Sequence, residues 1–132
     1  MTRSLSWIAA ACFAALATLP SLAIGGSETS PVGQWLVTTG EARYAVVSCG
    51  SAGQLCAKLV WLRADARTDE NVALLDHYVV RGAQPVGTGK WAGNVVLNGH
   101  SYAGTMQLVS RNFMTLRGCS GLLCQTYEFT RV

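Results

Sequence analysis

Histidine is scarce in this chain, and the short motifs that mark many enzymes are missing from it. There are only two histidines, His77 and His100, and charged residues make up 13% of the 132 positions. His77 follows Asp76, but neighbours on a strand point to opposite faces, so these two side chains do not form an acid–base pair. No Gly-X-Ser-X-Gly elbow, phosphate-binding loop or paired-histidine motif occurs. We therefore expect no enzyme activity, no catalytic residue, no cofactor and no metal site.

Runs of basic residues and apolar stretches of membrane-spanning length are also missing. The basic residues are scattered and the formal net charge is only +3, which provides no electrostatic footprint for a nucleic acid. The longest apolar stretch, Trp7–Leu19, has about 13 residues, whereas a membrane-spanning helix needs roughly 20. It follows Arg3 and precedes Ser21-Leu22-Ala23, which is the order of a secretory signal peptide. We predict no nucleic-acid partner, no stable membrane span, and export from the cytoplasm.

Cleavage near Ala23 divides the chain into three parts. Residues 1–23 are the signal peptide, residues 24–30 are a polar, glycine-rich flexible segment, and residues 31–132 form one domain. Two alternatives stay open for the first part, namely an uncleaved membrane anchor and a lipoprotein acylated at Cys12. The apolar run continues beyond Cys12, and this favours an ordinary signal peptide.

The rest of the chain lacks a sustained helical period of apolar residues. Short apolar or alternating runs recur instead about every dozen residues, separated by Gly, Asn and Ser turns, which is typical of a β-sandwich or barrel. Eight antiparallel strands joined in sequence can close into an up-and-down barrel, which removes the exposed edges. We therefore predict an all-β, eight-stranded barrel. Its strands are Gln34–Thr38, Ala42–Cys49, Leu55–Leu62, Leu75–Arg81, Lys90–Leu97, Ser101–Val109, Phe113–Cys119 and Leu123–Arg131, with Asn98-Gly99 as a two-residue turn.

Four cysteines of the predicted mature domain flank two hairpin turns. If residues 52–53 and 121–122 are the turns, Cys49 lies opposite Cys56 and Cys119 lies opposite Cys124. Successive turns of an up-and-down barrel alternate between its ends, so cysteines of different hairpins are farther apart than the roughly 7 Å that a disulfide spans. A zinc site is the alternative, but the spacings and the predicted export favour two hairpin disulfides.

The same registers can be checked against the side-chain alternation. They pair Val46 with Leu59 and Tyr44 with Trp61 on one face of the first cysteine hairpin. They also place Met114 opposite Phe129, and Leu116 opposite Tyr127, on one face of the second. The cysteines and the charged residues of both hairpins fall on the other face, and a one-residue slip would bury those charges. Both hairpins are therefore predicted to have an apolar inner face.

The first and last strands are neighbours in a closed barrel, which brings Trp35 and Arg131 to the same end. We predict a cation–π contact between them, and the alternative is an ordinary core tryptophan near an exposed terminal arginine. Gly33 and Trp35 on the first strand, with Arg131 on the last, resemble the lipocalin signature.

The chain resembles one exported bacterial family, domain of unknown function 2147, more closely. The resemblance spans about residues 31 to 132 and implies a lipocalin-like barrel and export. The matching residues are Pro31, Gly33, Trp35, Cys49, Leu55-Cys56, Leu59-Val60-Trp61-Leu62, Asp69, Asn71, Trp91, Gly93, Tyr102, Leu116-Arg117-Gly118-Cys119, Cys124-Gln125 and Thr130-Arg131-Val132. The chain departs from the family pattern at Ala57, Val72, Val95-Val96-Leu97-Asn98-Gly99 and Phe129.

Topology places the charged loop Arg63–Asn71 at the end opposite Trp35, where lipocalin-like barrels are open. Inward residues near that mouth, with others deeper, are candidates for binding a small hydrophobic ligand. They are Tyr44, Trp61 and Tyr102, then Val46, Leu59 and Met106. The alternative is that these side chains simply fill the barrel, since eight strands enclose either a packed interior or room for one small ligand.

Two kinds of partner follow from these patterns. The sequence favours a periplasmic lipocalin-like barrel that binds a small apolar molecule. The alternative is a barrel without a small ligand. It would be a protein-binding barrel, such as an inhibitor of a secreted protease with Ile24–Ser30 as its blocking segment, or a structural protein of the envelope.

Overall fold

Eight antiparallel strands form a closed barrel in which each strand pairs with its neighbours in sequence and the last pairs with the first. The computed structural model describes residues 30–97 and 99–132. The strands are β1 (Gly33–Val37), β2 (Ala42–Ser48), β3 (Leu55–Leu62), β4 (Tyr78–Gly87), β5 (Lys90–Leu97), β6 (His100–Ser110), β7 (Phe113–Ser120) and β8 (Leu123–Arg131). A short 3-10 helix (Ala64–Ala66) and a helix α1 (Asp69–Leu74) connect β3 to β4. The all-β barrel class is confirmed.

Three sequence predictions concern residues outside the described part. The signal peptide at residues 1–23, Cys12 within it, and residues 24–29 of the flexible segment all lie there. No helix within the described residues is long and apolar enough to cross a membrane.

The predicted disulfides Cys49–Cys56 and Cys119–Cys124 are both present. The turn between β2 and β3 and the turn between β7 and β8 lie at opposite ends, because consecutive turns of an up-and-down barrel alternate. The second disulfide therefore lies at the end where α1 is found, which we call the mouth. The first lies at the opposite end, which we call the closed end.

The register of β7 and β8 is the predicted one. Cys119 lies opposite Cys124, and Met114 lies opposite Phe129. Both members of the second pair are buried. The turn of this hairpin is the predicted pair of residues, 121–122. The position of the turn was therefore enough to predict every cross-strand pair of β7 and β8.

The register of β2 and β3 was predicted wrongly by two residues. Val46 lies opposite Ala57 rather than Leu59, and Cys56 lies opposite Val47 rather than Cys49. The amide of Cys49 donates to the carbonyl of Gln54, so the turn has four residues, 50–53, and not the predicted two. A shift by two keeps each side chain on its face of the sheet. Val46 and Leu59 consequently remain inward and are buried.

The fourth strand was also predicted wrongly, at Leu75–Arg81 instead of Tyr78–Gly87. Its first three predicted residues instead follow α1 in a turn, where the amide of His77 donates to the carbonyl of Leu74. The strand continues beyond Arg81 because Gly82 adopts a φ of 66°, which glycine tolerates without steric cost. The pairing of β4 with β3 and with β5 shifts near this residue, as expected for a β-bulge.

Helix α1 replaces part of what was predicted as a charged loop. Its N-cap is Thr68, whose hydroxyl accepts a hydrogen bond from the amide of Asn71 at 3.2 Å. Asp69 and Glu70 occupy the first turn, where negative charge is favourable. A threonine followed by two acids is a helix-start signal that the sequence did contain, but α1 is only six residues long and has no sustained apolar period.

Trp35 and Arg131 meet at the closed end. The Arg131 guanidinium carbon lies 4.4 Å from the centroid of the Trp35 ring, and Trp35 has no exposed surface. The indole nitrogen donates to the carbonyl of Pro31 at 2.8 Å. Arg131 donates to the carbonyls of Ser30, Val32 and Arg111, and these bonds tie the start of the barrel to its last strand and to the turn between β6 and β7.

Gly33 is required beside this arginine for two reasons. Its φ of 143° is disfavoured for residues with a side chain. A β-carbon at this position would lie 2.7 Å from Nη1 of Arg131. The three residues of the lipocalin-type pattern therefore act together as a structural plug at the closed end.

Candidate functional site

A cavity of about 600 Å³ occupies the interior of the barrel on the mouth side of Trp35. This volume lies within the range of about 300 to 1,000 Å³ that is usual for small-molecule sites. Most strands contribute alternate residues to its wall, whereas β4 contributes the consecutive residues Val79 and Val80. The apolar lining residues are Val37, Ala42, Val46, Ala57, Leu59, Leu62, Leu74, Val79, Val80, Val95, Leu97, Met106, Met114, Leu116, Leu123 and Phe129.

The polar lining residues lie nearer the mouth than the buried residues do. Glu41 immediately precedes β2, Ser120 ends β7, and Gln125 is near the start of β8, so all three are at the mouth end of their strands. Asn71 belongs to α1 and also lines the cavity, and its side-chain amide donates to the carbonyl of Ala66 at 2.8 Å. The cavity thus has an apolar interior and a polar rim.

Three tyrosines, Tyr44, Tyr102 and Tyr127, stand between the rim and the apolar interior. The Tyr44 ring packs edge-on against Phe129 with the ring centroids 5.7 Å apart. The Tyr127 hydroxyl donates to the Oε1 atom of Gln125 at 2.7 Å. These rings supply both flat apolar surface and hydroxyl groups to an occupant of the cavity.

The environment of Tyr44 favours its neutral hydroxyl. Burial, followed by the nearby Tyr127 and Glu41, raises the pKa of Tyr44 above its ordinary value of 10.0. Folding that raises the pKa of a tyrosine favours the neutral side chain. This adds to the free energy of unfolding at every pH below the pKa that the tyrosine has in the unfolded chain. The contribution is lost as the pH rises past the pKa that the tyrosine has in the folded protein. The Tyr44 hydroxyl is consequently uncharged at neutral pH and can donate a hydrogen bond.

This shift predicts an alkaline loss of stability that depends on Tyr44. Between about pH 8 and about pH 11, the free energy of unfolding of the wild type should fall more than that of Tyr44→Phe. Urea titrations followed by circular dichroism measure the difference, and each variant serves as its own reference at the lower pH. An equal fall in both proteins would contradict the raised pKa.

Five of the six predicted ligand-binding residues line the cavity. These are Tyr44, Val46, Leu59, Tyr102 and Met106. Val46, Leu59 and Met106 are buried, whereas the two tyrosines are half-buried. The structure therefore brings these five side chains together around one space.

The prediction that Trp61 points into the barrel was wrong. Arg43 lies opposite Trp61, and the next residue, Tyr44, lies opposite Leu59, so Val60 is an extra residue in β3. This bulge reverses the alternation for the residues that follow it. Trp61 is 37% exposed, and its ring centroid lies 4.9 Å from the Arg43 guanidinium carbon.

Several lining residues were not among the predicted site residues. The second cysteine hairpin had already placed Met114, Leu116, Tyr127 and Phe129 on one apolar face, which was the signal that could have identified them. Glu41 and Asn71 had no such signal. Glu41 lies at the rim because of the turn between β1 and β2, and Asn71 lies there because of α1. The alternation of apolar and polar residues along a strand predicts neither of these features.

The two histidines lie away from the cavity. His77 and His100 are both exposed and neither lines the wall. Across residues 30–97 and 99–132, no group of three histidine, cysteine, aspartate or glutamate side chains is arranged to hold a metal ion. The side chains facing the cavity can offer apolar contact, aromatic faces, hydroxyl and amide groups, and one carboxylate.

Residues 33–131 match the family described as uncharacterized proteins conserved in bacteria, DUF2147. The chain belongs to this family. The DUF2147 match runs from the first residue of β1 to the last residue of β8, so it covers the whole barrel and the two disulfides. No curated protein and no solved structure matches the chain. Membership in DUF2147 is consistent with the lipocalin-like resemblance, but the family description names no activity.

Proposed function

We propose that this protein is an exported barrel that binds one small hydrophobic molecule in its interior. The observation that supports this proposal best is the cavity of about 600 Å³ with an apolar interior and a polar rim. Small-molecule sites typically combine a mainly apolar wall with a few polar groups that orient the ligand. In this protein the polar groups are at the mouth, where a ligand would enter.

The distribution of packing within the barrel also supports a binding site. Trp35 fills the closed end, whereas the wall toward the mouth includes Gly118, where a β-carbon would meet no atom within 4 Å. An eight-stranded barrel has room for only a packed interior or one small ligand. This barrel is packed at one end and leaves space at the other.

The proposal of export rests on two further observations. Disulfides persist mainly in oxidising compartments such as the bacterial periplasm, and the barrel has two of them. The family is conserved in bacteria. Together with the signal peptide predicted at residues 1–23, these features support a periplasmic or secreted protein.

Titration with Nile red tests the proposed binding. This uncharged dye becomes more emissive in apolar surroundings, so we expect a saturable rise in emission with one dye molecule per chain. The protein unfolded in urea is the control for non-specific adsorption. Absence of saturable binding by the folded protein would contradict the proposal and leave the protein-binding and structural alternatives.

The position of Trp61 allows a sharper version of the same titration. Because Trp61 is on the outer face, we expect Trp61→Phe to change the Kd of Nile red by less than about twofold. Tyr102→Ala removes part of the cavity wall and should raise the Kd by about tenfold, which corresponds to 1.4 kcal/mol. Circular dichroism of both variants checks that the barrel remains folded. A large loss of affinity in Trp61→Phe alone would place the site elsewhere.

A further inference from the structure

The rim of the cavity has one formal charge, and it is negative. Among the described residues that line the cavity, Glu41 is the only charged one, and it is half-buried. No basic side chain of the described residues lines the same space. A ligand whose polar head lies at this rim therefore meets a carboxylate, and no basic side chain of the described residues faces the cavity beside it.

The basic residue adjacent to Glu41 is already paired elsewhere. The amide of Arg63 donates to the carbonyl of Glu41 at 2.8 Å, so the two backbones are neighbours. The Arg63 guanidinium, however, donates to both carboxylate oxygens of Asp65 and to the carbonyl of Thr39. Asp65, and after it Glu41, raises the pKa of Arg63, so Arg63 and Glu41 attract each other without touching. Within the part of the chain that the structure describes, the Glu41 carboxylate forms no ion pair, and it can therefore still contact an occupant of the cavity.

Three aromatic rings line the same cavity as this carboxylate. They belong to Tyr44, Tyr102 and Tyr127. The face of an aromatic ring attracts a cation, and aromatic side chains are used in this way to recognise substituted ammonium groups. One carboxylate with three tyrosines is thus a suitable environment for a positively charged head.

The same surroundings disfavour a negative head. Burial, then Tyr127 and then the negative charge of Glu41 raise the pKa of Tyr44. Burial disfavours a charged head of either sign, whereas the Glu41 carboxylate repels an anion and attracts a cation. A ligand carboxylate beside Tyr44 would meet this repulsion, and an ammonium group would not.

Building on the proposed function, we infer that the ligand is a cationic amphiphile. Its ammonium head lies at the rim against Glu41 and the tyrosines, and its alkyl body lies in the apolar interior toward Met106, Met114 and Phe129. An amphiphile of the same chain length with a carboxylate head is rejected.

Competition among three decyl compounds tests this inference. Decyltrimethylammonium, decanol and decanoate are each used to displace Nile red from protein expressed as the full chain. The titrations are run at low salt and about pH 8, where histidine is ordinarily neutral. We expect the ammonium compound to bind most tightly and decanoate at least about tenfold more weakly, which is the effect of 1.4 kcal/mol. Added salt should narrow this difference, because it screens the exposed part of the rim.

Two variants show whether Glu41 is the cause. In Glu41→Gln we expect the ammonium and carboxylate compounds to bind within about threefold of each other, since the charge has been removed without changing the shape. Glu128→Gln is the matched control, because Glu128 is exposed on the outer face opposite Thr115. This control should retain the full difference between the two compounds.

The outcomes separate this inference from the proposed function. If decanoate binds as tightly as the ammonium compound, or if Glu41→Gln leaves the difference intact, the inference is overturned while apolar binding stands. If none of the three compounds displaces Nile red, and Nile red itself shows no saturable binding, the proposed function fails and the inference fails with it.

Discussion

Replacement of Gly118 by leucine should raise the Kd of Nile red by about 100-fold while the barrel remains folded. Gly118 is on β7 and lines the cavity, and a β-carbon there would meet no atom within 4 Å. The new side chain would therefore extend into the space that we assign to the ligand. A ligand that must fit beside the leucine side chain loses up to about 3 kcal/mol of binding free energy, which corresponds to roughly two orders of magnitude in affinity.

The substitution is a sharp test because it adds atoms without removing a contact. Glycine in the middle of a strand contributes no packing, so we expect the melting temperature of Gly118→Leu to equal or exceed that of the wild type. Gly87→Leu is the control, since a β-carbon at Gly87 also meets no atom within 4 Å but lies at the end of β4, outside the cavity. A folded Gly118→Leu protein that binds Nile red with unchanged affinity would show that the dye does not use this cavity.

Replacement of Trp35 by alanine should lower the free energy of unfolding by about 3 to 5 kcal/mol, as is usual when a buried large aromatic residue is truncated. Trp35 has no exposed surface, and its loss removes the ring against which Arg131 stacks. It also removes the donor to the Pro31 carbonyl. Urea unfolding followed by circular dichroism measures the change.

Two further variants separate the contributions of Trp35. Trp35→Phe keeps an aromatic face for Arg131 but lacks the indole donor, and we expect it to lose about 1 to 2 kcal/mol. Trp61→Ala removes a tryptophan that is 37% exposed, so its loss should be below about 1.5 kcal/mol. If Trp35→Ala were no more destabilising than Trp61→Ala, Trp35 would not be the structural plug of the closed end.

Local patterns predicted the hairpins that have short, regular connections. The β7–β8 hairpin was predicted pair by pair, because its two-residue turn and its alternation specify the same register. The β2–β3 hairpin was predicted with the correct faces as far as Leu59, but with a register displaced by two residues. Alternation cannot detect an even displacement, since it moves no side chain to the other face.

Errors occurred where the chain departs from a regular strand. The extra residue Val60 turned Trp61 away from the interior, and Gly82 allowed β4 to continue after the predicted end. A bulge depends on how two strands must twist to stay paired around the closed barrel, and this constraint involves residues distant in sequence. Helix α1 had a capping signal at Thr68 but was too short to show an apolar period.

The sequence by itself determined the β-class, the eight strands in an up-and-down barrel, and both disulfides. The class and the number of strands follow from the apolar runs that recur along the chain. The disulfides follow from spacings within single hairpins, as the cysteine partners are only 7 and 5 residues apart. Only the tertiary structure decided that a cavity of about 600 Å³ remains, that Trp61 lies outside it, and that Glu41 lies at its rim. The physical reason is that the volume of the interior depends together on the closure of eight strands, on their bulges and on the size of every inward side chain. No pattern within one hairpin specifies all of these.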